Sequence, residues 1–179
     1  IWLATRSLAG EMESGQVQVA LARPVSRGQF YLARVLTVAL AALWVSIVAS
    51  LGNLAGLAYS KPDGTMNNWH FIAQIGASLL LALTIGGVSL LVSARADRMG
   101  QAVGWAAGFL IVSYVIDYFA TLWAFLKPLQ PFSVFDYYDP PVALAHGTIP
   151  MMNVIVLGGL ALICAIAGLV IFQRRDLPN

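Results

Sequence analysis

"VLTVALAALWVSIVASLGNLAGLAY", residues Val35 to Tyr59, carries no charged side chain. Three further runs are nearly as apolar: His70–Ala94, Ala102–Leu126 and Met151–Phe172. Each holds about 22–25 residues, so at ~1.5 Å rise per residue each makes a helix of roughly 33–37 Å. That length crosses a ~30 Å hydrocarbon core with some tilt. Backbone groups in lipid find partners only in helices or closed barrels, and these runs lack the polar alternation of barrel strands. The expected fold class is therefore an all-α membrane protein: a polytopic transmembrane helix bundle with four spans in this chain, near 35–59, 70–94, 102–126 and 151–172.

Composition agrees. Of 179 residues, 59% are hydrophobic and 10% charged, which overrides the soluble single domain that the length alone would suggest. The formal charge of +2 is too small to argue for a nucleic-acid partner. Cys164 is the only cysteine, which excludes an internal disulfide and a cysteine-based metal cage. With four spans, Arg6, Arg23, Arg27, Arg34, Arg95, Arg98, Arg174 and Arg175 fall on one side and only Lys61 and Lys127 on the other. By the positive-inside rule the arginine side, with both ends of the chain, is cytoplasmic. The opening "IWLAT" reads like the tail of an earlier apolar segment, so the sequence is expected to be a fragment with upstream spans missing.

Between the spans, Ile1–Gln29 is a polar cytoplasmic lead-in. Val17, Val19 and Leu21 alternate there like a strand, and Pro24 has the look of a first helical residue. The expectation is an interfacial helix that turns into the membrane, with Arg27 and Arg34 near the headgroups. The connection 127–150 is rich in proline and aromatic residues, among them Phe132, Phe135, Tyr137 and Tyr138. It is expected outside the cytoplasm, along the outer interface or as a short re-entrant piece.

No G-x-x-x-x-G-K-[ST] loop is present, so the chain has no phosphate cradle of that kind. H-E-x-x-H is also absent, and His70 and His146 belong to separate outer regions. Asp117 is the one acid inside a span, near its middle on these boundaries, where such residues face the bundle interior or water. Ser113, Tyr114 and Thr121 share its helical stripe. Two readings stand open: part of a substrate pathway or inter-helix polar contact, or a carboxyl held neutral or bonded to a tyrosine that merely joins two helices. Ser46, Ser50 and Asn53 form a similar stripe in the first span, and Gln74 and Ser78 one in the second. Gly52-x-x-x-Gly56 and Gly104-x-x-x-Gly108 would allow close helix approach.

Three segments, in order, resemble the type-2 ATP-binding-cassette (ABC) transporter permeases. The first has Glu11, Glu13 and Gly15 in an E-x-E-x-G pattern, then Pro24, Val25, Ser26 and Arg27, with Arg34 at a position often held by lysine. The second, "LKPLQPFSVFDYYDP", matches an aromatic region before the last span through Pro131, Phe132, Tyr137 and Tyr138. The third is the tail "FQRRDLPN". One departure is Q-V-Q-V-A-L after Gly15, where the family often has T-L-E-L-L-L.

The resemblance implies a permease subunit forming half of a translocation path, with a second permease copy or a paralogue as its partner. It implies six spans per domain, of which this chain supplies the last four, and an exporter in the plasma (inner) membrane with a cytoplasmic C-terminus. ATP and Mg would sit on a separate ATPase subunit, leaving this chain without cofactor or catalysis. Residues 1–29 would be the coupling segment, with Glu11, Glu13, Gly15, Arg23, Pro24 and Arg27 at the ATPase contact. Asp117, Tyr114, Thr121, Asn53 and Ser50 are the candidates for the translocation path or inter-helix contacts. The competing readings are a membrane-embedded enzyme using Asp117, with His70 or His146 as partner, and a non-transporting scaffold or accessory subunit.

Overall fold

The structure, a computed structural model, describes residues 1–13, 26–60 and 68–174. In chain order it contains α1 (Trp2–Thr5), a π-helical stretch (Arg6–Gly10), α2 (Glu11–Glu13), α3 (Arg27–Ser60), α4 (Asn68–Arg95) and α5 (Met99–Leu122). A 3-10 helix (Ala124–Phe132), α6 (Pro140–His146) and α7 (Met151–Arg174) follow. There is no strand among the described residues. The four helices α3, α4, α5 and α7 are long and apolar enough to cross a membrane. The protein is an all-α polytopic helix bundle, as its hydropathy requires.

Two helix ends do not coincide with the ends of the apolar runs. The first long helix runs from Arg27 through Ser60, so Arg27 and Arg34 belong to the same helix as the first apolar run. Its start is fixed by a capping box. The Ser26 Oγ accepts the Gln29 amide at 3.2 Å, and the Gln29 Oε1 accepts the Ser26 amide at 3.0 Å. Pro24, the expected first helical residue, lies outside the described residues. Phe30 stacks on Phe172 and Tyr31 lies tilted against it, at centroid distances of 6.0 and 5.9 Å, which packs the first turns of α3 against α7.

The third span ends at Leu122, short of Leu126. Trp123 is extended (φ −123°, ψ 115°), and the next turns are 3-10 with Pro128 and Pro131 inside them. An α-helix through Pro128 would set its ring against the carbonyl four residues earlier and leave Lys127 in a disfavoured region, so the chain leaves the α-helix first. The apolar runs 70–94 and 151–172 lie within α4 and α7.

Packing divides into two compact units. The first comprises Ile1–Ala39, Thr84–Val112 and Leu160–Asn179. Its core joins Leu8, Phe30, Tyr31, Ala94 and Phe172, with Ala4, Val38 and Leu90 beside one another and Ala9 against Ala96 and Ala102. Close approach here depends on Gly87 and Gly168. A Cβ on Gly87 would lie 2.9 Å from the Ala161 carbonyl oxygen, and one on Gly168 would run into the Tyr31 ring. The buried hydroxyls of Ser89 and Ser93 donate to carbonyls one turn back, at 2.7 and 2.6 Å, so they enter the apolar core satisfied.

The second unit comprises Leu40–Leu83 and Ser113–Gly159. Ala73, Ala77 and Ala143 form its core, with Tyr138 and Ile149 packed against them. The short α6 has defined ends. Asp139 caps it by accepting the Val142 amide at 3.2 Å, Pro140 opens it, and Gly147 closes it at φ 65° with His70 packed where a Cβ would stand. A Cβ on Gly52, Gly56, Gly104 or Gly108, the glycines of the two G-x-x-x-G patterns, would meet nothing within 4 Å among the described residues.

Candidate functional site

Residues 1–13 begin the first of two candidate regions. Ala4, Thr5, Leu8 and Ala9 are buried, two pairs at i, i+4 spacing that turn one face of α1 and the π-helical stretch inward. Leu8 lies among residues of α3, α4 and α7, while Ala9 reaches α5 and the α4–α5 turn. Polar groups then hold the segment in place. Arg34 Nη2 donates to Glu11 Oε2 at 2.5 Å, with both side chains about three-quarters buried. The same guanidinium lies 4.8 Å from the centroid of the Phe30 ring. Glu13 Oε2 accepts the backbone amide of Met99, the first residue of α5, at 2.9 Å. A carboxylate there satisfies an orphan amide and complements the positive end of the helix dipole.

Two of the candidate coupling residues are thus brought to partners inside the chain. Glu11 is tied to α3 and Glu13 to α5. Arg27 is exposed on the first turn of α3. Gly15, Arg23 and Pro24 lie outside the described residues. Sequence reasoning placed Arg34 among headgroup anchors and missed its pairing with Glu11, because a contact 23 residues apart leaves no local spacing signal. The capping pair Ser26–Gln29 did carry one, the S-x-x-Q pattern.

The second region lies in the other unit. Asp117 is five residues short of Leu122, nearer the end of α5 than the mid-span position expected from the longer boundary. Its carboxyl is half-buried, with the Gln130 side chain and the Asp136 carboxyl as its polar neighbours. Thr121 donates to the backbone carbonyl of Asp117 at 3.0 Å, not to the carboxyl. Tyr114 stacks on Tyr118 at 6.3 Å and meets Phe135 edge-on at 5.6 Å.

Ser113, on the same stripe, joins α5 to the connection that follows. Its hydroxyl accepts the Val134 amide at 2.8 Å, while Ser133 Oγ donates to the Ser113 carbonyl at 2.8 Å. Ser133 spends its single proton there, so the 3.2 Å contact between the two hydroxyls has Ser113 as donor. Further along, Tyr138 and Ser78 share a hydroxyl contact of 3.3 Å. The connection is therefore held to α4 and α5 by buried polar contacts.

Asn53 and Ser50 belong elsewhere in the same unit. Asn53 lines an open cavity of about 490 Å³ with Gly52, Gly56, Gln74, Pro140 and Leu144. Gln74 is buried and its Oε1 has no hydrogen-bond partner among the described residues; the same holds for the buried Ser50 Oγ. The structure does not gather Asp117, Asn53 and Ser50 into one described site. No group of three metal-ligating side chains occurs among the described residues.

The family model described as "ABC-2 family transporter protein" matches residues 1–177. No curated individual protein matches the chain.

Proposed function

The chain belongs to the ABC-2 transporter family, and from that premise we propose that it is the permease subunit of an exporter whose ATPase is a separate protein. It is a multi-pass membrane transport protein, and membrane proteins of this family work with ABC ATPases. In the proposed arrangement the partner ATPase holds ATP and Mg, and a second permease copy or a paralogue completes the path. The arginine-bearing ends and the C-terminus face the cytoplasm across the plasma (inner) membrane, following the distribution of basic residues. The family membership favours a transport subunit over a membrane-embedded enzyme built on Asp117.

The observation that carries the coupling role is the double attachment of residues 1–13. Glu11 holds the segment to α3 through Arg34, and Glu13 holds it to the first residue of α5. A push on the segment from a docked ATPase would reach two spanning helices together. The lead-in 1–29 is then the coupling segment, its acids locking it to the bundle while Arg23, Pro24 and Arg27 supply the contact with the ATPase. Asn53, Ser50, Tyr114, Asp117 and Thr121 remain the proposed polar positions of the path, with Asp117 toward its outer mouth.

The test is to purify the full-length chain with a co-expressed P-loop ATPase and reconstitute both in vesicles. A stable complex whose ATP hydrolysis responds to a transported solute, with solute moving away from the ATPase side, is the expected result. A chain that binds no ATPase, or that alone performs a chemical turnover lost in Asp117→Asn, contradicts the proposal.

A further inference from the structure

We propose that a groove bounded by α4, α5 and α7 binds one anionic phospholipid, its headgroup on Arg95 and an acyl chain along the helices. The groove has a volume of about 580 Å³, within the ~300–1,000 Å³ typical of small-molecule sites. Val88 and Val92 from α4, Phe109 from α5 and Ile171 from α7 give it apolar walls. Arg95, the last residue of α4, supplies its charge. Trp105 stands on the wall six residues after the start of α5, about 9 Å along the axis, and is 73% exposed.

Charge complementarity selects the headgroup. Arg95 is exposed and makes no ion pair among the described residues. An adjoining cavity of about 490 Å³ shares Arg95 and Ile171 with the groove and adds Arg174 and Asp97. Two arginines against one aspartate leave the two cavities net positive. Basic pockets between spanning helices at the cytoplasmic side are where anionic headgroups bind, and each arginine near the surface is worth about a fivefold preference.

The walls select a lipid over a free phosphate. An apolar groove on membrane helices cannot be filled by water without leaving that water short of partners. An acyl chain fills it at no such cost, and the Trp105 indole N–H can then donate to the ester region while its ring lies against the chain. The proposal concerns residues apart from the coupling segment and does not depend on which solute is transported.

The test uses the full-length complex in nanodiscs of equal parts phosphatidylglycerol and phosphatidylcholine, with retained lipid read by native mass spectrometry after transfer to detergent. Retention of phosphatidylglycerol over phosphatidylcholine is expected, falling about fivefold in Arg95→Gln. Arg95→Lys should keep most of it, which separates lost charge from a misfolded variant. Trp105→Ala should lower retention of both lipids. Arg98, exposed but not lining the groove, serves as the control, and Arg98→Gln should leave the preference unchanged. Equal losses in Arg95→Gln and Arg98→Gln would reduce the site to diffuse surface charge and overturn it. Displacement of the lipid by inorganic phosphate alone, or a Trp105→Cys cross-link to another protein helix seated in the groove, would overturn it as well.

Discussion

Replacing Ser113 by alanine should loosen the connection after α5 without unfolding α5 itself. In the native structure the Ser113 hydroxyl accepts the Val134 amide at 2.8 Å and contacts the Ser133 hydroxyl at 3.2 Å. Val134 is 4% exposed, so its amide has no route to bulk water once the hydroxyl is gone. An orphaned buried donor costs about 1–3 kcal/mol, equivalent to a five- to 150-fold rise in local opening. Ser133 can keep its bond to the Ser113 carbonyl, so the loss is confined to one amide and one hydroxyl contact. Hydrogen–deuterium exchange resolved at Val134 and Phe135 measures it directly. Ser113→Thr retains the hydroxyl and should exchange like the native chain. Unchanged exchange at Val134, or an equal rise along the whole of α5, would refute the assignment of this hydroxyl as the clasp.

Three further outcomes follow from other contacts. Gly168→Ala sets a methyl against the Tyr31 ring and should lower the midpoint of thermal aggregation in detergent, an overpacking cost of about 1–3 kcal/mol. Tyr31→Phe should relieve it in part, since the Tyr31 hydroxyl is the atom nearest that methyl. Ser26→Ala breaks the capping box at the start of α3, and a loss of about 1 kcal/mol should appear as faster amide exchange in the first turn alone. Asp117→Asn keeps a polar side chain beside Gln130 while removing the carboxyl. If Asp117 lines the outer mouth of the path, transport should change while ATPase binding does not; equal loss of both would make it a folding residue.

The four spans were legible because a ~30 Å hydrocarbon core demands long apolar runs, and nothing else in a chain of this size produces four of them. Hydropathy does not mark where a helix starts or stops, so the helix ends at Arg27 and Leu122 do not coincide with the ends of the apolar runs. The start at Arg27 depends on two hydrogen bonds between Ser26 and Gln29, polar residues that a hydropathy window passes over. The end at Leu122 depends on the prolines of the following 3-10 turn, although Phe125 and Leu126 are apolar enough to extend the run. That shift moved Asp117 from the middle of a span to a position beside Gln130.

Glycine spacing alone does not show which glycines pack within the described chain. G-x-x-x-G states that two glycines share a helix face, not that another helix lies on that face; Gly87 and Gly168 make the close contacts without the motif. In residues 1–13 the sequence singled out the acids Glu11 and Glu13, but not the partners they meet in the folded chain. Arg34 and the Met99 amide are 23 and 86 residues away from Glu11 and Glu13, and only the folded chain brings them together.

The central claim is that residues 1–13 transmit motion because Glu11 and Arg34 clamp them to α3. A charge-swap cycle on the reconstituted complex tests it most directly, reading solute moved per ATP hydrolysed. Glu11→Arg and Arg34→Glu should each lower that ratio, and the double variant should recover much of it, a coupling of about 0.5–3 kcal/mol for a contacting pair. Single variants that transport as well as the native complex, or a double variant no better than either single, would contradict the account.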